Sequence, residues 1–233
     1  MHVPSKTACS RTKAPALALL AALACAVQVW ALADPAAAEP VRLMAYGDSL
    51  THGYGLPAGE TFPEQLEAAL RADGLDVTVI NAGNSGDTTA GGLARLDWAL
   101  ADDPDAVILE LGANDGLRGL DPQATYDNLD AILARLTGQE RLPVLIAGML
   151  APPNLGREYG EAFNAVFPRL AKKYDAPFYP FFLEGVAMEP ALNQSDGIHP
   201  NAAGVAEIVK RIKPHVVRLL EARDLAGRQD AGN

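Results

Sequence analysis

Cysteine is nearly missing from this chain, and its placement excludes whole classes of chemistry. The 233 residues hold two, Cys9 and Cys25, both within the first 38 positions. From residue 39 onward no disulfide can staple the fold, and neither a cysteine nucleophile nor a thiolate metal site can be built. Histidine is also scarce: beyond His2 there are His52, His199 and His215. Positive charge is short, with 19 Lys and Arg against 29 Asp and Glu and a formal net charge of −10. Such a balance argues against nucleic-acid phosphates or an anionic membrane surface as the main partner. Repeats and low-complexity stretches are absent after the leader, and no insertion is long enough to form a lid.

The first 38 residues read as an export leader. "MHVPSKTACSRTK" carries Lys6, Arg11 and Lys13 with no acid, and "APALALLAALACAVQVWALA" follows without charge. A basic start, an apolar stretch and a small-x-small ending describe a secretory signal peptide, with cleavage expected near 33 (Ala31-Leu32-Ala33) or 38 (Ala36-Ala37-Ala38). The rival is a retained anchor, because the apolar run approaches the length of a bilayer span. Its small residues and two cleavage-like ends favour removal, and Ala22 stands where a lipoprotein signal would carry Leu. The expected organisation is a signal peptide at 1–38, one domain at 39–224 and a flexible tail at 225–233. The protein is expected to be a monomer of the bacterial periplasm or exterior, with no stable membrane span after signal removal. About 195 residues suffice for one domain with a sizeable core.

What is present alternates regularly. "VRLMAY" (41–46), "VTVIN" (77–81), "AVILEL" (106–111), "VLIAGM" (144–149) and "PFYPF" (177–181) read as strands, three of them apolar almost throughout, as strands covered on both faces must be. Helical patterns lie between them. "TFPEQLEAALRADG" has Pro63 in its first turn and Phe62, Leu66 and Leu70 on one face; "TAGGLARLDWAL" follows the second strand. "DPQATYDNLDAILARL" groups Tyr126, Leu129, Leu133 and Leu136. "YGEAFNAVFPRLAKKY" groups Phe163, Phe167 and Leu170, with a kink expected at Pro168, and "NAAGVAEIVKRIKPHVVRLL" closes the chain with another expected at Pro214. This order implies a parallel sheet between helical layers, with its site at the carboxyl ends of the strands.

Nearly every polar cluster falls there. Gly47-Asp48-Ser49 follows strand one, "NAGNSGDTTAGG" (81–92) strand two, "LGANDGLRG" (111–119) strand three, and "SDGIHPNAAG" (195–204) precedes the last helix. A serine after a strand is by itself a cap or turn residue, and its hydroxyl needs a base to become a nucleophile. His215 reads as a surface or packing residue of the last helix. His52 is near Ser49 but lacks a fixed acid, and reads as a bystander. His199 has Asp196 three residues before it, in a turn shaped by Gly197 and Pro200. That carboxylate can accept the Nδ1 hydrogen and leave Nε2 facing Ser49. Acyl transfer also needs oxyanion donors. Candidates are the N–H of Ser49, that of Gly86, where the missing Cβ lets substrate approach, and the side-chain amide of Asn114. Gly86 also reads as an ordinary loop glycine and Asn114 as an Asx turn; three loops each supplying a required group favour chemistry.

Taken together, Gly-Asp-Ser-Leu, the glycine of the second block, Gly-x-Asn-Asp and Asp-x-x-His resemble the GDSL esterases of the SGNH hydrolase superfamily. "SGDTTAGGLARL", "ELGANDGLRG" and "DGIHPNAAG" resemble its bacterial thioesterase I / lysophospholipase / arylesterase group, and the likeness runs from about residue 41 to 220. The resemblance implies a three-layer α/β/α, flavodoxin-like fold around a five-stranded parallel sheet. It implies Ser49 as nucleophile, His199 as base, Asp196 as its orienter, and Ser49, Gly86 and Asn114 as the oxyanion hole. It further implies hydrolysis of a small-molecule ester or thioester, with lysophospholipids in range, and neither cofactor nor metal. Leu117, Leu150, Ala151 and Pro152, in the loops after strands three and four, could line an acyl groove or simply pack those loops.

Two other readings remain open on residues alone. Asp48, Asp87, Asn114, Asp115 and His199 could gather two cations as in a metal-dependent phosphoesterase, although the histidines are few and no Asp-x-His follows the first strand. A non-catalytic ligand-binding domain could share the fold, but would not need the full set of groups. Glu110 is anomalous, because a carboxylate within "AVILEL" is costly unless hydrogen-bonded; a bond to a neighbouring loop is expected.

Overall fold

A computed structural model describes residues 1–2 and 39–230. The chain divides into two units, 1–39 and 40–233, and the fold and site lie in the second. The leader expected at 1–38, its first two residues apart, lies outside the described residues. Among the described residues no helix is long and apolar enough to cross a membrane.

The five apolar runs form the strands β1 (Val41–Gly47), β2 (Val77–Gly83), β3 (Ala106–Glu110), β4 (Val144–Ala147) and β5 (Phe178–Tyr179). All neighbours are parallel, in the order β2-β1-β3-β4-β5, the flavodoxin-like arrangement. β3 and β4 are buried throughout, whereas β2, at an edge, alternates. β5 is shorter than its pattern because Pro177 and Pro180 flank it and have no N–H for a ladder.

Among the described residues, eight α-helices accompany the strands: α1 (Ser49–His52), α2 (Phe62–Ala72), α3 (Thr89–Leu100), α4 (Ala113–Leu117), α5 (Pro122–Leu133), α6 (Arg157–Asn164), α7 (Val166–Tyr174) and α8 (Ala202–Asp230). α2 packs with α8 in one layer, and α3, α5 and α7 form the other. α2 begins as its sequence predicts: the Glu64 carboxylate reaches back to the N–H of Thr61 (3.3 Å) and of Gly59 (2.8 Å), closing off free donors at the helix start. Its Phe62, Leu66 and Leu70 are buried.

The two prolines expected to kink helices stand in different settings. The helix predicted around Pro168 is two helices that meet at Ala165, which places Pro168 in the first turn of α7. An N–H there has no helical partner, so its absence leaves no hydrogen bond unmade. α8 carries Pro214 within its length. It also runs on to Asp230, past residue 224, where a tail was expected.

Candidate active site

The chain leaves β1 for the edge strand β2, then crosses back to β3 on β1's other side. Ligands of such sheets bind at this reversal, and the groups singled out in the sequence collect here. Gly47 ends β1. A Cβ on it would overlap the Thr51 hydroxyl and both the carboxylate and the carbonyl of Glu110, so only glycine lets the chain turn this tightly. Asp48 is fully buried. Its Oδ1 accepts the Leu50 N–H (3.0 Å) and its Oδ2 the Asn114 amide (3.2 Å). Ser49 opens α1, and Gly53, at φ 86°, closes it.

His199 reaches this turn from the other end of the fold. Its Nε2 lies 3.0 Å from Ser49 Oγ, and its Nδ1 lies 2.7 Å from Asp196 Oδ2. Asp196 Oδ1 accepts the N–H groups of Ile198 and His199, each at 3.0 Å. The hydrogen bond from the imidazole, then those from the backbone, hold the Asp196 carboxyl down to about 2. Gly197 sits at φ 75°, where a side chain would be strained. Gln194 braces the loop: its N–H donates to the His199 carbonyl (2.7 Å), and its amide donates to the carbonyls of Pro200 (3.0 Å) and Tyr54 (2.7 Å). The Tyr54 ring lies against the imidazole with centroids 4.6 Å apart.

Gly86 and Asn114 arrive from β2 and β3. Gly86 stands at φ 88° in a turn closed by the Asp87 N–H to the Asn84 carbonyl (3.1 Å). The N–H groups of Ser49 and Gly86 have no acceptor among the described residues. The Arg118 guanidinium donates to the Gly86 carbonyl (2.9 Å) and approaches Asn114 Oδ1 (3.5 Å). Asn114 is therefore held at both ends, its oxygen towards Arg118 and its nitrogen towards Asp48, with one amide hydrogen left over.

The carboxylates of the two-cation reading have other partners. Asp87 pairs with Arg95 (2.5 Å), which also donates to the Gly47 carbonyl (2.8 Å). Asp115 accepts the N–H (2.8 Å) and hydroxyl (2.6 Å) of Thr89. Among the described residues no group of three or more His, Cys, Asp or Glu is arranged to hold a metal ion. His52 contacts the Gly83 carbonyl (3.3 Å), and His215 packs against the Tyr179 ring (5.1 Å).

After β3 and β4, Leu117 and Leu150 are half exposed, at 51% and 48%. Ala151 and Pro152 are partly buried; Ala151 donates its N–H to Asn164 (2.8 Å) and packs on the core. Sequence reasoning missed Tyr54, Leu120 and Ile198, further exposed apolar side chains on these loops, as well as the braces Gln194 and Arg118. Arg118 was within a quoted block, but nothing in "GLRG" says where its guanidinium reaches.

Glu110 has the hydrogen bond expected of it. Its Oε2 accepts the Thr51 hydroxyl (2.7 Å) and, at longer range, the Asp48 N–H (3.4 Å). Burial, and then the nearby charge of Asp48, push its carboxyl well above the ordinary range.

Fold and site together define a hydrolase of the three-layer α/β kind. The chain matches the GDSL-like lipase/acylhydrolase family over residues 45–206 and belongs to it; it is an ester hydrolase by class. It is 44% identical to thioesterase 1/protease 1/lysophospholipase L1 of Escherichia coli (strain K12) over 166 residues, covering 71% of this chain and 78% of that protein. It is 39% identical to an arylesterase of Vibrio mimicus over 180 residues, 77% of this chain and 90% of the relative. Among solved structures, AlinE4, an esterase of the SGNH-hydrolase family, is 48% identical over 78% of this chain and 97% of its own, with a TM-score of 0.66.

Proposed function

We propose that the chain is a serine esterase with Ser49 as nucleophile. The observation that carries this reading is the continuous line from Ser49 Oγ through His199 to Asp196, with contacts of 3.0 and 2.7 Å, made by residues 150 positions apart in the sequence. Ser49 Oγ attacks the ester carbonyl carbon as His199 Nε2 takes its proton, and Asp196, ionised across the neutral range, stabilises the imidazolium. The N–H groups of Ser49 and Gly86 and the Asn114 amide receive the charge that develops on the carbonyl oxygen. His199 then returns the proton to the departing alcohol or thiol as the bond to it breaks, leaving an acyl ester on Ser49. A water deprotonated by His199 attacks this ester, releases the acid and restores the serine.

Leu117 and Leu150 supply apolar surface for the acyl chain, with Ala151 and Pro152 setting the loop behind them. With no lid-sized insertion among the described residues, aryl esters, thioesters and lysophospholipids share one open site, in keeping with relatives named arylesterase and thioesterase/lysophospholipase. One chain supplies every group of the relay, so a monomer suffices for turnover, and the enzyme works in the periplasm or outside the cell after its leader is removed. The test is hydrolysis of p-nitrophenyl esters of increasing chain length by wild type and Ser49→Ala. The variant is expected to lose activity by at least about 10³-fold with an unchanged far-UV spectrum, and substantial residual turnover overturns the assignment. A flat chain-length profile marks an open groove; a sharp optimum overturns it.

A further inference from the structure

Glu110 takes no part in the relay above, yet it lies under the turn that carries Ser49. It is fully buried. It contacts the turn on both sides of the serine: Gly47 passes over it too closely for any side chain, Asp48 donates its N–H and Thr51 its hydroxyl. Its Oε1 finds no partner among the described residues. Burial on this scale is tolerable for a neutral acid and severe for a carboxylate.

We propose that Glu110, held as the uncharged acid, is a positioning residue that fixes the nucleophile turn from below. This inference rests on Ser49 being the nucleophile. Asp48 and Glu110 are close and buried, so one negative charge between them is strongly preferred to two. Asp48 has the better donors for it, the Leu50 N–H and the Asn114 amide, so the charge resides there and the proton on Glu110. Other titratable groups nearby are His199 and Asp115, which act on Asp48, and Arg95 with Asp87 at the Gly47 carbonyl. Among the described residues no cation forms an ion pair with Glu110. A second charge on Glu110 would repel Asp48, the group that orients Asn114 and caps the Ser49 turn. The arrangement therefore links the nucleophile and an oxyanion donor to one protonation state.

The test compares Glu110→Gln, which keeps an uncharged acceptor for Thr51 and Asp48, with Glu110→Met, which keeps the length and removes it. With a short p-nitrophenyl ester, Glu110→Met is expected to lose about tenfold or more in kcat with KM within about threefold, as misplacement of a reacting group does. Glu110→Gln is expected to recover kcat to within about threefold of wild type. In infrared spectra at pH 8, wild type is expected to show a protonated-carboxyl band that Glu110→Gln lacks. If Glu110→Met does not fold, Thr51→Val, which withdraws one donor from the same carboxyl, is expected to lower kcat with KM preserved. The inference is overturned if Glu110→Met or a folded Thr51→Val keeps wild-type kcat, if Glu110→Gln falls as far as Glu110→Met, or if the band is absent from wild type. Ser49→Ala in the same assay separates the two readings: an active Ser49→Ala overturns both, whereas an inert one beside a fully active Glu110→Met overturns only the role of Glu110.

Discussion

The two sides of the site hold their acids in opposite ways. On the side of the proposed base, His199, Asp196 is 38% exposed at its side chain, sits in a glycine turn and is drawn down to about 2 by the hydrogen bonds it accepts. On the side of the proposed nucleophile, Asp48 and Glu110 are fully buried, and burial pushes Asp48 up to about 6 and Glu110 higher than is ordinary. The same functional group is a permanent anion in one setting and a proton holder in the other. Solvent and backbone donors make the first, and desolvation makes the second. The base side is thus set by local hydrogen bonds along a loop, and the nucleophile side by the packing of the whole sheet.

That contrast can be broken at its exposed half first. Asp196→Asn keeps the shape of the loop but loses the acceptor that orients His199, and kcat is expected to fall by roughly 10³-fold. Because this carboxylate is exposed, the midpoint of thermal unfolding is expected to move by no more than about 2 °C. A large drop in melting temperature would mean that the two sides are not held differently.

Asn114→Ala comes next, removing the amide on which Asp48 acts. Its expected loss is about 10²-fold in kcat with KM little changed, and a defect seen only in KM would place Asn114 in ground-state binding.

A stability measurement, separate from turnover, sharpens the buried half. Glu110 keeps its proton in the folded chain, whereas in the unfolded chain it releases it near its ordinary 4.5. Wild type therefore loses stability from this group as pH rises above that value, and Glu110→Gln does not. The melting temperature of the variant relative to wild type is expected to rise by roughly 10 °C between pH 4 and pH 8. A difference that stays level with pH would mean that Glu110 is ionised in the fold. Asp48 titrates in both proteins and largely cancels.

These expectations divide along the line between what the sequence carries and what it does not. Strand runs such as "AVILEL" and the face Phe62, Leu66 and Leu70 were legible because burial on two faces, or on one helical stripe, imposes a period on the residues themselves. Ser49, Asp196 and His199 were legible as types of group at the ends of elements, with the topology bringing them together. The braces were not. Gln194 acts through amide contacts to the carbonyls of Pro200 and Tyr54, and Arg118 through the Gly86 carbonyl; backbone acceptors leave no trace in residue identity. Pro168 shows the same limit: its sequence promised a disturbance, but whether that became a kink or a boundary depended on where the preceding helix stopped. Glu110 was conspicuous in an apolar strand, yet its partner Thr51 became visible only once β1 and β3 were neighbours.

One consequence lies in the order of synthesis. Ser49 leaves the first strand of the sheet, and His199 stands just ahead of the last helix. A growing chain therefore presents the serine long before its proposed base exists, and the Nε2–Oγ contact closes only after nearly all of the domain is available to fold. An enzyme that could attack esters wherever it met them is thus silent for most of its manufacture, timed by nothing more than the distance along the chain between two side chains.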